Sequence, residues 1–136
     1  MFPVLGPHWT RGTIGEFGAP RSGGRSHEGF DVVAACGTPL VAAATGRVLR
    51  SAYDPVLYGN YLKIHGQGER RIYFYAHLTR AAPVRRGDQV WAGRRVGAVG
   101  KTGNARTVGC HLHFEIHLRG NPIDPAPALG RWDRYS

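Results

Sequence analysis

At 136 residues the chain is long enough for one domain with its own core and too short for two. Its 42% hydrophobic and 20% charged residues exclude a disordered chain, and no apolar run approaches the length of a membrane span. A net charge of +9, from 18 Lys+Arg against 9 Asp+Glu, favours an anionic partner such as nucleic acid, a membrane surface or an acidic wall polymer.

The positive charge is dispersed. All the cationic side chains except Lys63 and Lys101 are arginines, and pairs such as Arg70-Arg71, Arg85-Arg86 and Arg94-Arg95 lie far apart, so no specific nucleic-acid partner is expected. Residues 1–25 are rich in Gly, Pro and Arg without sustained periodicity and read as an irregular N-terminal arm laid over the domain. They lack the basic segment and apolar stretch of a signal peptide, so an export signal lies outside this sequence or is absent. HEGFDVVAA reads as a strand closed by the turn Cys36-Gly-Thr-Pro39, and LVAAATGRVLRSAY as two strands about a Thr45-Gly46 turn. In GNYLKIHGQGERRIYFYAHL, Leu62 and Ile64 alternate with Tyr61, Lys63 and His65. Ile72, Phe74 and Ala76 then alternate with Tyr73, Tyr75 and His77, and the break at Gly66-Gln67-Gly68 makes a hairpin. The valines and glycines of VRRGDQVWAGRRVGAVGKTG fit short strands turning tight corners. No segment shows helical periodicity over three turns. The expected fold is all-β and mainly antiparallel, a single domain over 26–128 with a groove walled by loops and a C-terminal tail over 129–136.

The chemistry concentrates in GCHLHFEIH, which packs three of the seven histidines into residues 111–117. A helix would turn His111 and His113 about 200° apart, whereas a strand sets them side by side. Leu112, Phe114 and Ile116 then face a core, and His111, His113, Glu115 and His117 line the polar face. Two imidazoles on one face fit a metal site, a catalytic pair or an exposed polar strand. A second pair, His27 and Asp31, sits four apart in SHEGFD, and in an extended segment both point the same way. A neutral imidazole and a carboxylate suit Zn²⁺, and His113 would complete a His₂Asp set whose fourth position stays open, the pattern of a catalytic zinc. His77 and His111 would flank the metal without binding it and act on its water and on a developing oxyanion. Each residue also has a plainer role: His27 in a turn, Asp31 as a turn cap, His77 as a half-buried structural histidine. Tyr73 and Tyr75 share a face with His77 in the period-two reading. Glu115 is expected as an outer partner of a histidine, and His8, His65 and His117 as surface or structural residues. Asn60 and Tyr61 are candidate substrate contacts.

Together these residues resemble the lysostaphin-type, LytM-like zinc metallopeptidases that cut peptidoglycan peptides. HEGFD matches H-x-G-x-D, YAHL carries a lone histidine, RRGDQVWAGRRVGAVGKTGNA matches a Gly-rich G-D-x-V-x-x-G pattern and HLHFE matches H-x-H-x-E, all in the family's order. The resemblance implies one Zn²⁺ per chain on His27, Asp31 and His113, with His77 and His111 as catalytic histidines; His111 is read as the general base and His77 as the oxyanion stabiliser, an order that the sequence leaves open. It implies a monomeric endopeptidase acting on the stem or cross-bridge peptides of peptidoglycan, outside the cell or at the wall, in a bacterium or borne by a phage. The alternative is an inactive wall-binding or activator module of the same fold. If Asp31 and His113 converge on one ion, Cys36, five residues beyond the first, and Cys110, three before the second, come near each other. An even cysteine count and an extracellular substrate then favour a Cys36–Cys110 disulfide over two buried thiols.

Overall fold

The computed structural model describes residues 1–133. The dominant sheet is built on β9 (His111–Leu118), with β2 (Phe30–Val33) on one side and β6 (Arg71–Leu78) on the other. Beyond β6 follow β5 (Gly59–Gly66), β4 (Gly46–Asp54) and β7 (Gln89–Val90), while β1 (Trp9–Thr10) extends the β2 edge and β10 (Asn121–Ile123) folds back on β9. Every pairing is antiparallel, and the expected hairpin is β5–β6. A small second sheet pairs β3 (Pro39–Val41) with β8 (Arg95–Ala98).

The core lies between the two sheets. Alternation along β9 works as the sequence implies, since Leu112, Phe114 and Ile116 are all fully buried among Leu62, Ile64, Tyr73 and Tyr75. Tyr75 crosses from one sheet to the other: its hydroxyl donates to the Val41 carbonyl and accepts the Ala43 N–H, both at 2.9 Å. The arm also enters the core, with Phe2 and Val4 buried and Val4 bridging Leu40.

Two features depart from the sequence reading. The first is α1 (Ala126–Asp133), an eight-residue helix begun by Asp124, whose Oδ1 accepts the Ala126 N–H at 2.9 Å. Two turns are too short to display a period, and the helix is held by packing: Leu129 is buried and Trp132 lies against Tyr73 and Phe114. The tail expected from 129 therefore starts inside this helix; its residues 134–136 lie outside the described range.

The second is His77. Strict alternation groups it with Tyr73 and Tyr75, which point into the core, but His77 has φ +66°. That left-handed residue ends the alternation and turns the imidazole to the opposite side of the sheet. There its ring centroid lies 5.1 Å from that of His111 and 5.9 Å from that of His113.

Candidate active site

Register places the site. Asp31 on β2 and Ala76 on β6 both stand opposite His113, so the two strands flanking β9 bring their side chains to one spot on the open face. Gly29 permits the approach, because a Cβ there would lie 2.5 Å from the Phe114 carbonyl oxygen and 3.0 Å from His113 Cε1. Apart from tyrosines and Cys110, the buried polar side chains among the described residues are His27, Asp31, His77, His111, His113 and Glu115. All six belong to this cluster. An open cleft of about 550 Å³ gives access to it, walled by the arm and by the 57–58 and 104–108 loops.

Each histidine has one ring nitrogen fixed by an acceptor. His27 Nδ1 donates to the Glu16 carbonyl at 2.9 Å, His77 Nδ1 to Thr102 O at 2.8 Å and His111 Nδ1 to Gly109 O at 2.9 Å. His113 Nε2 donates to Glu115 Oε2 at 2.6 Å, and Glu115 Oε1 accepts from His117 Nε2 at 2.6 Å. A carbonyl can only accept, so the hydrogen sits on the nitrogen facing it and the other nitrogen presents a lone pair. Glu115 thus does what the sequence suggested, orienting His113 from behind, and His117 is drawn into the same chain.

The opposite nitrogens converge. His27 Nε2 lies 2.9 Å from His113 Nδ1, and Asp31 Oδ1 lies 3.1 Å from the first and 3.2 Å from the second. Three acceptors this close repel unless a cation or proton stands among them. In the metal-free protein it is a proton: burial alone would lower the His113 pKa, but hydrogen bonds to Asp31 and Glu115 hold it up to about 9. Burial likewise works against an ionised Asp31, and the hydrogen bond from His113 is the main effect that outweighs it, keeping the carboxyl well below the usual range. His27, Asp31 and His113 are the group among the described residues that could hold a metal ion.

His77 and His111 stand beside that group with Nε2 free of hydrogen. Burial, reinforced by the neighbouring histidines, pushes His77 down to about 4, and burial also lowers His111, against which Asp31 Oδ2 at 3.9 Å acts. Both imidazoles are neutral acceptors at neutral pH.

Asn60 and Tyr61 do not line the cleft. Asn60 Nδ2 donates to Leu78 O and its N–H to Thr102 Oγ1, so it braces the loop whose carbonyl fixes His77. The Tyr61 hydroxyl is taken by Arg50 Nε at 2.6 Å. A bulge in the β5–β6 register separates Asn60 from Leu62, and the wall is made instead by Leu57 and Tyr58, just before β5. Sequence reasoning also missed Thr102 and Glu16, which act through backbone carbonyls and leave no residue-type signal.

The family model for peptidase family M23 matches residues 25–125. Over 101 residues, 74% of this chain and 22% of the relative, the chain is 40% identical to the peptidoglycan DD-endopeptidase ShyC of Vibrio cholerae. Over 134 residues, 96% of this chain and 29% of the relative, it is 33% identical to the murein hydrolase activator EnvC of Escherichia coli. The chain thus spans less than a third of the length of either protein. The catalytic domain of lysostaphin from Staphylococcus simulans superposes with a TM-score of 0.75 at 28% identity, covering 85% of this chain and 89% of that one. A matched segment that takes up most of the chain and carries all six buried polar residues establishes the affiliation: the chain belongs to peptidase family M23.

Proposed function

We propose that the domain is a zinc-dependent endopeptidase that hydrolyses peptide bonds of bacterial peptidoglycan, with Zn²⁺ held by His27, Asp31 and His113. The observation that carries this reading is the convergence of three acceptor atoms, 2.9–3.2 Å apart, whose outer faces are already committed. A triangle of that size has points about 2 Å from all three corners, the bond length zinc takes with imidazole and carboxylate ligands. Two imidazoles and a carboxylate also suit zinc better than calcium or magnesium, which prefer oxygen. Zinc in such a site supplies Lewis-acid polarisation of the scissile carbonyl and brings a water's pKa toward neutrality.

The rest is done by the protein. His111 is the general base: its Nε2 is an acceptor, and Asp31 Oδ2 at 3.9 Å stabilises the imidazolium formed when it takes the water's proton. It then returns that proton to the leaving amine. His77 presents an acceptor too, because Thr102 O holds its hydrogen on Nδ1, and it orients the water or the scissile N–H. The oxyanion role expected of His77 requires a hydrogen on Nε2, which the neutral ring does not have there. A carboxylate-rich wall would draw in the +9 domain, an attraction that salt weakens. The Cys36–Cys110 bridge suits a site of action outside the reducing cytosol.

The likeness to EnvC across 96% of the chain favours a second reading, an activator that keeps the fold without turnover. The two part on product. Purified peptidoglycans of different cross-bridge chemistry, digested and analysed by mass spectrometry, should yield new amino termini at one kind of bond. Zinc-loaded protein that released none from any of them would leave the activator reading standing.

A further inference from the structure

One strong contact to Asp31 comes from a residue outside the matched segment. Arg11, in the arm, donates from Nη1 to Asp31 Oδ2 at 2.7 Å. The carboxylate's two oxygens are therefore divided, since Oδ1 is the one that faces His27 and His113.

We propose that Arg11 is a positioning residue of the metal centre: its guanidinium occupies Asp31 Oδ2, so that Asp31 offers Oδ1 alone to the metal and the arm becomes part of the site. The proposal rests on the metallopeptidase reading of His27, Asp31 and His113. A guanidinium only donates, so Arg11 does not compete for the ion; it fixes the rotation of the carboxylate and removes the freedom that a bidentate alternative would use. The contact is not an ordinary surface pair, because the Asp31 side chain is 3% exposed and that of Arg11 25%.

The local backbone is built to deliver this side chain. Residues 12–15 form a single 3₁₀ turn that ends on the buried Gly15. A Cβ on Gly15 would lie 2.8 Å from Arg11 Cβ and 3.3 Å from Asp31 Cβ, so glycine is what lets the turn seat Arg11 against β2. Arg21 approaches the same oxygen only to 3.7 Å, and its guanidinium is engaged by the Ile14 and Pro20 carbonyls. It ties the arm to itself. Arg11 ties the arm to the ligand.

The test is zinc affinity, measured on the full chain by competition with a chromogenic chelator, together with the visible spectrum of the Co²⁺-loaded protein. Arg11→Ala should weaken zinc binding about 10- to 100-fold, the usual cost of losing a group that orients a ligand. It should also change the Co²⁺ band shape as Asp31 is freed to rotate. Arg11→Lys, which keeps a cation without the planar fork, should recover part of the loss. Gly15→Ala should reproduce it, and Arg21→Ala should leave affinity within about threefold of wild type. A residue that merely tethers the arm would lower the melting temperature and leave affinity and spectrum alone; that outcome overturns the proposal. Should Arg11→Ala not fold, Arg11→Gln against Arg11→Lys decides, and equal zinc affinity in the two overturns it. Wild-type protein that bound zinc no better than His113→Ala would instead overturn the metallopeptidase reading, and this one with it.

Discussion

Removing the Cys36–Cys110 bridge should cost the domain much of its stability and little of its metal affinity. The bridge joins residues 74 apart in sequence, with Cα atoms 5.3 Å apart, just beyond the last rung of the β2–β9 ladder at Val33 and His111. In the chain-entropy treatment, closing a loop of that length in the unfolded chain is worth about 4–5 kcal/mol, an upper figure because native strain subtracts from it. For a domain of this size each kcal/mol moves the melting temperature by about 3–5 °C, so the Cys36→Ala/Cys110→Ala protein should melt roughly 10–20 °C lower. The ladder itself, four rungs from Phe30–Phe114 to Val33–His111, still sets Asp31 against His113. Zinc affinity of the folded variant should therefore stay within about threefold of wild type, under 1 kcal/mol. Calorimetric melts of the metal-free proteins and chelator competition below the transition measure the two effects. A melting point within about 2 °C of wild type would refute the entropy argument. Two alkylated thiols in unfolded, unreduced wild-type protein would refute the bridge itself.

Tyr75→Phe leaves the Val41 carbonyl and the Ala43 N–H unpaired in the core, and should destabilise the fold by about 1–3 kcal/mol in denaturant titrations without changing zinc affinity. A loss under about 0.5 kcal/mol would mean that water or backbone movement replaces the hydroxyl. The pH dependence has a definite sign. With His113 at about 9 in the metal-free protein, zinc binding at pH 7.5 should release close to one proton, and the release should vanish as pH rises well past 9. Calorimetry in buffers of differing ionisation enthalpy reads this directly; zero release at pH 7.5 would contradict it. In acid, zinc loss and rate loss should coincide, because His77 stays neutral down to about 4. A rate that fell while zinc remained bound would place the limiting protonation on a catalytic imidazole instead.

The strand bearing His111 and His113 was legible because the period of two assigns every residue of HLHFEIH to a face, and Leu112, Phe114 and Ile116 take the core face while His111, His113 and Glu115 take the other, buried there in the cluster. The pairing of His27 with Asp31 was legible for the same reason. The placing of His77 was not legible: its spacing puts it on the core face with Tyr73 and Tyr75, and its own φ of +66° reverses that. Histidine carries no marker for that conformation as glycine does. Asn60 and Tyr61 miss the cleft although β5 keeps its alternation through them: the extra residue of the β5–β6 bulge falls in β6, between Tyr75 and Leu78, and the wall is made by Leu57 and Tyr58 just before β5, which a strand pattern does not reach. Helix α1 was too short to show its period. Arg11 was invisible for another reason: one arginine among many, in an aperiodic arm, becomes meaningful only when the turn ending at Gly15 brings it to Asp31.

In the proposed mechanism one zinc, held by His27, Asp31 and His113, serves peptide hydrolysis in which His77 takes part without binding the metal. This mechanism is tested most directly by metal analysis and peptidoglycan turnover measured together on wild type, His113→Ala and His77→Ala. Wild type should carry one zinc per chain and release new amino termini, His113→Ala should lose both, and His77→Ala should keep its zinc while turnover falls by about 10²-fold or more. Full zinc occupancy in His113→Ala, or undiminished turnover in His77→Ala, would contradict it.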